Sequence, residues 1–91
     1  MFSERVRALR MKRGMTQQRM ADALGISLNA YQKYEQGERF PPFEKLGRLC
    51  DILRCPADYL LGRDEYLQSL GVSVDVPLTN LPRRPNGGKR R

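Results

Sequence analysis

Apolar residues recur at helical spacing through the first two thirds of the chain. Phe2, Val6 and Leu9 are spaced i, i+4, i+7, which places them on one helix face. A second, shorter apolar stripe lies at residues 20–24. A later helix is predicted from the core spacing of Phe43, Leu46, Leu49, Cys50 and Leu53. With a polar helix from residue 27 and a short one at about 57–61, the pattern predicts an all-α domain of five helices.

Helix ends are indicated by capping residues and glycines. Ser3, Thr16 and Ser27 are of the residue types that cap helix N-termini. Helix C-termini are predicted at Gly14, Gly25, Gly37 and Gly62. Two prolines at 41–42 cannot continue a helix, so a loop separates the third helix from the fourth.

The pattern changes after Gly62. Residues 63–70 are predicted to add one further helical segment, and residues 72–76 alternate as a strand does. Such a strand either pairs with its copy in a dimer or serves as an extended arm or linker. We expect three regions: a helical domain over residues 1–62, a dimerisation extension over 63–79 and a flexible basic tail over 80–91.

Net charge favours a polyanionic partner. The 91 residues carry a net charge of +7, and residues 76–91 hold five basic residues and no acidic one. No apolar run is long enough to span a membrane, and the first residues are charged, which argues against a secretory signal. We expect a cytoplasmic, nucleoid-associated protein with no membrane partner.

Catalytic and metal chemistry find little support. The chain has no histidine, which removes the commonest general base. Cys50 and Cys55 fit no strong metal motif, and both are expected to be buried structural residues. We expect no enzyme activity, no metal site and no cofactor.

The second and third helices form the arrangement that carries the chemistry. Two short helices joined by a tight turn at Gly25 make a helix-turn-helix unit, whose second helix fits the DNA major groove. Its inward face is predicted to hold Ala30, Tyr31 and Tyr34. Its outward face is predicted to hold Leu28, Asn29, Gln32, Lys33 and Gln36.

These segments together resemble the Cro and phage-repressor type of helix-turn-helix protein, the XRE family. The resemblance is carried by MTQQ at 15–18, MADALGIS at 20–27, YQKYEQG at 31–37 and DYLLG at 58–62. It implies a compact lambda-repressor-like fold and double-stranded DNA as the partner. It also implies a homodimer on a palindromic operator whose half-sites lie ~34 Å apart.

The resemblance also implies roles for individual positions. Bases would be read by Leu28, Asn29, Gln32 and Lys33. Phosphates would be contacted by Gln17, Gln36 and Arg39. Arg19 departs from the family, which favours a glutamate at this third position of the second helix; its cation opposes the helix dipole, and a contact with a phosphate would offset that cost. Arg10 and Glu35 would form an internal ion pair. Arg54 stands where the family favours glycine, so a left-handed arginine is expected there.

The function that follows is a sequence-specific DNA-binding transcriptional regulator, most simply a repressor. A phage or prophage repressor, a toxin–antitoxin autoregulator and a restriction–modification controller all share this architecture. The alternative is a protein-interaction module on the same scaffold, such as an antitoxin, because Leu28 on the reading face would also suit a protein partner.

Overall fold

The computed structural model describes residues 1–74. They form six helices: α1 (Phe2–Lys12), α2 (Gln17–Leu24), α3 (Leu28–Gln36), α4 (Phe43–Leu53), α5 (Ala57–Leu60) and α6 (Asp64–Ser69). The predicted all-α fold and the further helical segment after Gly62 are therefore confirmed over this range. No helix among these residues is long and apolar enough to cross a membrane.

Capping hydrogen bonds at Thr16 and Ser27 and a left-handed glycine define where the two helices of the helix-turn-helix unit begin and where the first one ends. The hydroxyl of Thr16 accepts a hydrogen bond from the backbone N–H of Arg19 at 3.1 Å, and that of Ser27 accepts from Ala30 at 3.0 Å. Between the two helices Gly25 has φ 71°, a left-handed conformation that costs glycine little. The caps predicted at Thr16 and Ser27 and the predicted end of α2 are confirmed.

The expected cap at Ser3 is wrong. Helix α1 begins one residue earlier, at Phe2, with Met1 as its N-cap. The carbonyl of Met1 already accepts from the N–H of Arg5 at 3.1 Å, and the N-terminal ammonium lies 3.4 Å from Glu4. These contacts complete the first turn, so Ser3 lies inside the helix.

The core lies where α1 to α5 meet. Apolar residues with no exposed surface include Val6, Leu9, Met20, Ala21, Tyr31, Leu49, Leu53 and Leu60. Cys50 and Cys55 are both buried within this cluster and form no disulfide, as expected. Tyr34 is also buried, whereas Ala30 is only half-buried at the edge of the predicted inward face.

The prediction that Phe43 belongs to the core is wrong. Its side chain is 89% exposed, although it shares a helix face with Leu46 and Leu49. Burial along α4 increases from the half-buried Leu46 to the buried Leu49, Cys50 and Leu53. Phe43 is the first residue of the helix, and the core contacts are made by the later turns.

Arg54 ends α4 in the left-handed conformation that the sequence predicts, with φ 57° and ψ 53°. A side chain with a β-carbon costs about 1 kcal/mol there relative to glycine. The guanidinium of Arg13 donates to the carbonyls of Leu53 at 2.7 Å and Arg54 at 3.2 Å. These bonds satisfy carbonyls that the end of α4 would otherwise leave without a partner.

A buried ion pair fastens α6 to α1. Arg5 and Asp64 are 2% and 5% exposed, and the guanidinium donates to both carboxylate oxygens at 2.6 and 2.9 Å. Arg5 also donates to the carbonyl of Tyr59 at 2.7 Å and lies over that residue's ring. Leu67 is buried beside this site, so α6 contributes to the hydrophobic core.

The strand expected at 72–76 does not form over its described part. Residues 72–74 have no strand pairing, and the N–H of Val72 donates to the carbonyl of Leu67 at 3.0 Å, which extends the end of α6. Val74 is half-buried against the core. No strand within residues 1–74 is available as a partner. The remainder of that strand and the basic tail predicted at 80–91 lie outside the described residues.

Removing one partner of the buried pair should destabilise the domain strongly. We expect Asp64→Asn to lower the free energy of unfolding by about 3 kcal/mol, because the charge of Arg5 would stay buried without its counterion. The control is Asp58→Asn. It removes a pair with Arg63 whose side chain is 52% exposed, and should cost less than about 1 kcal/mol. Urea titration measures both, and equal losses would contradict this account of α6.

Candidate nucleic-acid interface

Helix α3 presents one face to the protein and one to solvent. It packs against α1 and α2 through Tyr31, Tyr34 and Glu35, all of which are buried. The rings of Tyr31 and Tyr34 meet edge to face with centroids 6.1 Å apart. The opposite face is turned away from α1 and α2 and is partly or fully open to solvent.

The four positions predicted to read bases lie on or beside that free face. Asn29 is exposed, whereas Leu28, Gln32 and Lys33 are half-buried. The amide of Asn29 can therefore reach a groove directly. Leu28 has less free surface than a fully exposed leucine, so a protein partner would gain less from covering it.

The positions predicted to contact phosphates lie at the start of α2 and around the end of α3. Gln17 is the first residue of α2, and the exposed Arg19 follows within the same turn. Gln36 ends α3 and Arg39 lies in the loop after it, both exposed. Gln17 and Gln36 line the same cleft, so the two groups adjoin each other.

The structure brings Arg10 and Glu35 together. The guanidinium Nε lies 2.6 Å from Oε2 of Glu35, and a terminal nitrogen lies 3.2 Å from Oε1. A second terminal nitrogen donates to the carbonyl of Met15 at 2.9 Å. Arg10 thus links α1 to both the turn before α2 and the last turn of α3.

Glu35 accepts two further hydrogen bonds. The hydroxyl of Tyr31, one turn earlier on α3, donates to Oε2, and Nε2 of Gln17 donates to Oε1 at 3.0 Å. Burial raises the pKa of Glu35, but the hydrogen bonds from Arg10, Tyr31 and Gln17 outweigh it, so that the net pKa is lowered. Burial and the neighbouring carboxylate raise the pKa of Tyr31. Glu35 is therefore ionised at neutral pH, and Tyr31 is a neutral donor.

A second amide extends this network to the reading face. Nε2 of Gln32 donates to Oε1 of Gln17 at 3.2 Å. The sequence assigns Gln32 to bases and Gln17 to phosphate, but gives no sign that the two side chains touch. They are 15 positions apart, and only the packing of α2 on α3 makes them neighbours.

Lys33 has a partner that the sequence analysis misses. Its ammonium lies 3.6 Å from Oε1 of Glu38, in the loop that follows α3. Both side chains are at least partly exposed, at 37% and 58%. A base or phosphate that approaches Lys33 therefore competes with a carboxylate for the same charge.

Arg7 is a cation that the sequence analysis also misses. A cleft of about 440 Å³ opens between α1 and α3, lined by Ser3, Glu4, Arg7, Gln17, Glu35 and Gln36. Arg7 is exposed and stands three residues before Arg10 on the same helix face. Because Arg10 is predicted to contact α3, a residue three positions before it on the same face is also expected to lie near α3. The sequence spacing could therefore have identified Arg7.

Replacing Glu35 should change how stability depends on pH. Since the pKa of Glu35 is lowered from 4.5 in the folded state, its contribution is present above that value and is lost as pH falls through the lowered pKa. We expect Glu35→Gln to lower the free energy of unfolding by about 1–3 kcal/mol at neutral pH, because Arg10 loses its charged partner. The deficit should shrink as pH falls below 4.5, since the wild-type protein then loses the contribution of the ionised Glu35.

Urea titrations of both proteins over that pH range measure this. Glu44→Gln is the control, since Glu44 is exposed at the start of α4 and outside the network. It should keep the wild-type pH dependence. Stability curves of wild type and Glu35→Gln that run parallel down to acid pH would contradict the assigned role of Glu35.

Comparison with known proteins shows which family this chain is similar to. The uncharacterized SPbeta prophage-derived HTH-type transcriptional regulator YonR of Bacillus subtilis is 46% identical over 61 residues, covering 67% of this chain and 56% of the relative. The cryptic phage CTXphi transcriptional repressor RstR of Vibrio cholerae is 45% identical over 62 residues, covering 68% and 55%. This chain thus spans a little over half the length of these relatives.

A solved structure shows the same architecture. The solution structure of the DNA-binding domain of the P22 C2 repressor superposes with a TM-score of 0.63 at 36% identity, covering 67% of this chain and 80% of that one. The lambda-repressor-like fold is therefore confirmed. Residues 6–60 also match the family model described as helix-turn-helix. This chain belongs to that helix-turn-helix family, in its Cro and phage-repressor (XRE) branch.

Proposed function

We propose that this protein is a sequence-specific DNA-binding transcriptional regulator that acts as a repressor, with α3 in the major groove. The observation that carries the proposal is the outward polar face of α3, which is held by a buried ionic network, together with the exposed Arg19 near the start of α2 and the exposed Arg39 in the loop after α3. It is supported by relatives named as transcriptional regulators and repressors.

Base reading would come from two amides, a cation and an aliphatic side chain. Asn29 and Gln32 can donate and accept together, as the major-groove edge of adenine requires. Lys33 would donate to guanine or a phosphate once it leaves Glu38, and Leu28 would meet a thymine methyl group.

Backbone contacts would position α3 in the groove. Gln17 and Arg19 would approach one strand at the start of α2, where the helix N-terminus also favours an anion. Gln36 and Arg39 would approach the backbone near the end of α3. We add Arg7 to this set because it shares a cleft with Gln17 and Gln36.

We further propose a homodimer on a palindromic operator, with residues 63–79 as the dimerisation extension. Exposed apolar side chains on this part of the chain support the proposal: Tyr66 is 43% exposed, Leu70 56% and Val72 37%. The preceding Leu61 is 58% exposed. The basic stretch 80–91 would track phosphates without reading bases. The protein would then act in the cytoplasm at the nucleoid, as a regulator with no catalytic activity.

An interaction module on this scaffold is the second candidate. Phe43 and Phe40 are 89% and 68% exposed, which is unusual for phenylalanine and would suit a protein partner. The salt dependence of binding to any duplex discriminates the two, because phosphate contacts release counterions and a protein interface does not.

Selection from a random duplex library at near-physiological salt tests the proposed function. We expect an enriched palindromic motif whose half-sites are one helical turn apart, about 34 Å. An enriched motif without two-fold symmetry would contradict the dimer alone. Retention without enrichment, lost as salt rises, would contradict sequence-specific reading by α3.

Gln32→Ala separates base reading from general affinity. We expect it to weaken binding to the selected operator by about 1–3 kcal/mol and to leave binding to unrelated duplex nearly unchanged, because only the operator offers the matching base edge. Fluorescence anisotropy on both duplexes measures this. Equal loss on the two would argue that Gln32 does not read a base.

Arg39→Ala should behave in the opposite way. We expect similar weakening on the operator and on unrelated duplex, with a shallower salt slope, because a phosphate contact carries no sequence information. The charge-matched control is Arg54→Ala at the far end of α4, which should leave both affinities unchanged. A loss confined to the operator would contradict a phosphate role for Arg39.

A further inference from the structure

The two cysteines of the chain lie at the two ends of the turn that closes α4. The backbone N–H of Cys55 donates to the carbonyl of Cys50 at 3.1 Å, and that of Arg54 donates to the carbonyl of Asp51 at 3.3 Å. With Arg54 in the left-handed conformation, these two bonds make a Schellman motif. In that motif the side chains at the ends of the longer hydrogen bond commonly pack together, so the helix end itself pairs the two thiols.

The backbone distance between the two cysteines suits a disulfide. The 3.1 Å hydrogen bond limits the separation of their α-carbons to no more than about 7 Å, because only standard covalent bonds complete the path between them. The path bends at the carbonyl carbon and at the amide nitrogen, which makes the true separation shorter than that limit. Disulfides form between α-carbons about 4.4–6.8 Å apart. Closing the bond therefore requires no rearrangement of the turn.

The two thiols already interact in the reduced protein. A hydrogen bond from the Cys55 thiol to the sulfur of Cys50 lowers the pKa of Cys50, although burial and the nearby Asp51 act in the opposite direction. The thiolate is the nucleophilic form of cysteine. Cys50 is therefore the better attacking group, and Cys55 is in place to react with it in a second step.

The surroundings of the pair favour a small reagent and a bond within the chain. Cys50 and Cys55 keep 8% and 9% of their surface exposed, which a peroxide molecule can reach but a thiol of another protein chain cannot. Within residues 1–74, no group of three or more cysteine, histidine or carboxylate side chains is placed to hold a metal ion. Each of the two thiols thus has the other as its neighbouring sulfur.

We propose that Cys50 and Cys55 form an oxidation site at which a hydroperoxide closes a disulfide within the chain. The thiolate of Cys50 attacks one oxygen of hydrogen peroxide and the O–O bond breaks. The other oxygen leaves as hydroxide and takes up the proton that Cys50 released, which gives water and a sulfenic acid on Cys50. The Cys55 thiol then attacks that sulfur, the S–O bond breaks, and the hydroxyl leaves with the Cys55 proton as a second water. Two electrons pass from the two sulfurs to the peroxide.

The test treats the folded full chain with hydrogen peroxide, removes the peroxide, and unfolds the protein in a maleimide that labels every remaining thiol. We expect the wild type to take up no label and to lose the mass of two hydrogen atoms. It should run as a single chain on a non-reducing gel and regain both thiols with dithiothreitol. Labelling of both cysteines after peroxide would overturn the proposal, and so would disulfide-linked dimers or oxidation beyond the sulfenic acid.

Two single variants separate the roles of the thiols. Cys55→Ala has no thiol to close the bond, so we expect the sulfenic acid to persist at Cys50, where dimedone traps it. Cys50→Ala is the matched control and should form the adduct at least about tenfold more slowly, because its thiol is the weaker nucleophile. Faster trapping on Cys50→Ala than on Cys55→Ala would contradict the attacking role of Cys50. The wild-type measurement uses no variant, so it decides the proposal even if a substitution prevents folding.

Thermal unfolding of the oxidised protein tests the geometry directly. The folded chain holds the two thiols together and the unfolded chain does not, so we expect the disulfide to raise the melting temperature by about 4–8 °C. Adding dithiothreitol should restore the original value. A lower melting temperature after oxidation would show that the bond distorts the turn, and would overturn the claim that the end of α4 prepares the pair for closure. None of these measurements involves DNA, so their outcomes are independent of the proposed function.

Discussion

The carboxylate of Glu35 is the group on which the arrangement of the reading helix depends. A buried charge is tolerated only when it is paired and hydrogen-bonded, and its donors here come from three helices: Arg10 of α1, Gln17 of α2 and Tyr31 of α3 itself. Satisfying one carboxylate therefore fixes how the three helices meet. A movement of α3 away from α1 or α2 would remove a donor from a buried anion.

A buried pair of a guanidinium and a carboxylate also holds the other end of α1. Arg5 binds Asp64 of α6 and the carbonyl of Tyr59, so the helix is anchored by a guanidinium near each end. Arg13 on α1 and Arg48 on α4 act in a related way, binding backbone carbonyls near the C-termini of α4 and α2. A small domain buries a limited apolar area, and these guanidinium contacts add directional constraints that apolar packing lacks.

The reading face reflects these internal contacts. Gln32 lies beside the polar network, while Lys33 is turned towards Glu38 and Asn29 is exposed. Three neighbouring polar positions on one helix thus differ in freedom, although their residue types alone suggest equal availability. Under the proposed function, Asn29 can adapt to a base edge, Gln32 is held by its hydrogen bond to Gln17, and Lys33 must leave Glu38 before it can bind DNA.

The sequence by itself determined the features that depend on neighbouring residues. Hydrophobic period, the caps at Thr16 and Ser27 and the turn at Gly25 are local, so the helix-turn-helix unit could be predicted from them. The resemblance that these segments carry implied the left-handed Arg54 and the pair of Arg10 with Glu35. Tertiary structure decided the other contacts between distant side chains. Arg5 and Asp64 lie 59 positions apart, and no local pattern pairs them. The same holds for the exposure of Phe43, for the missing strand at 72–74 and for the contact of Gln17 with Gln32, because helix packing places residues that are distant in sequence side by side.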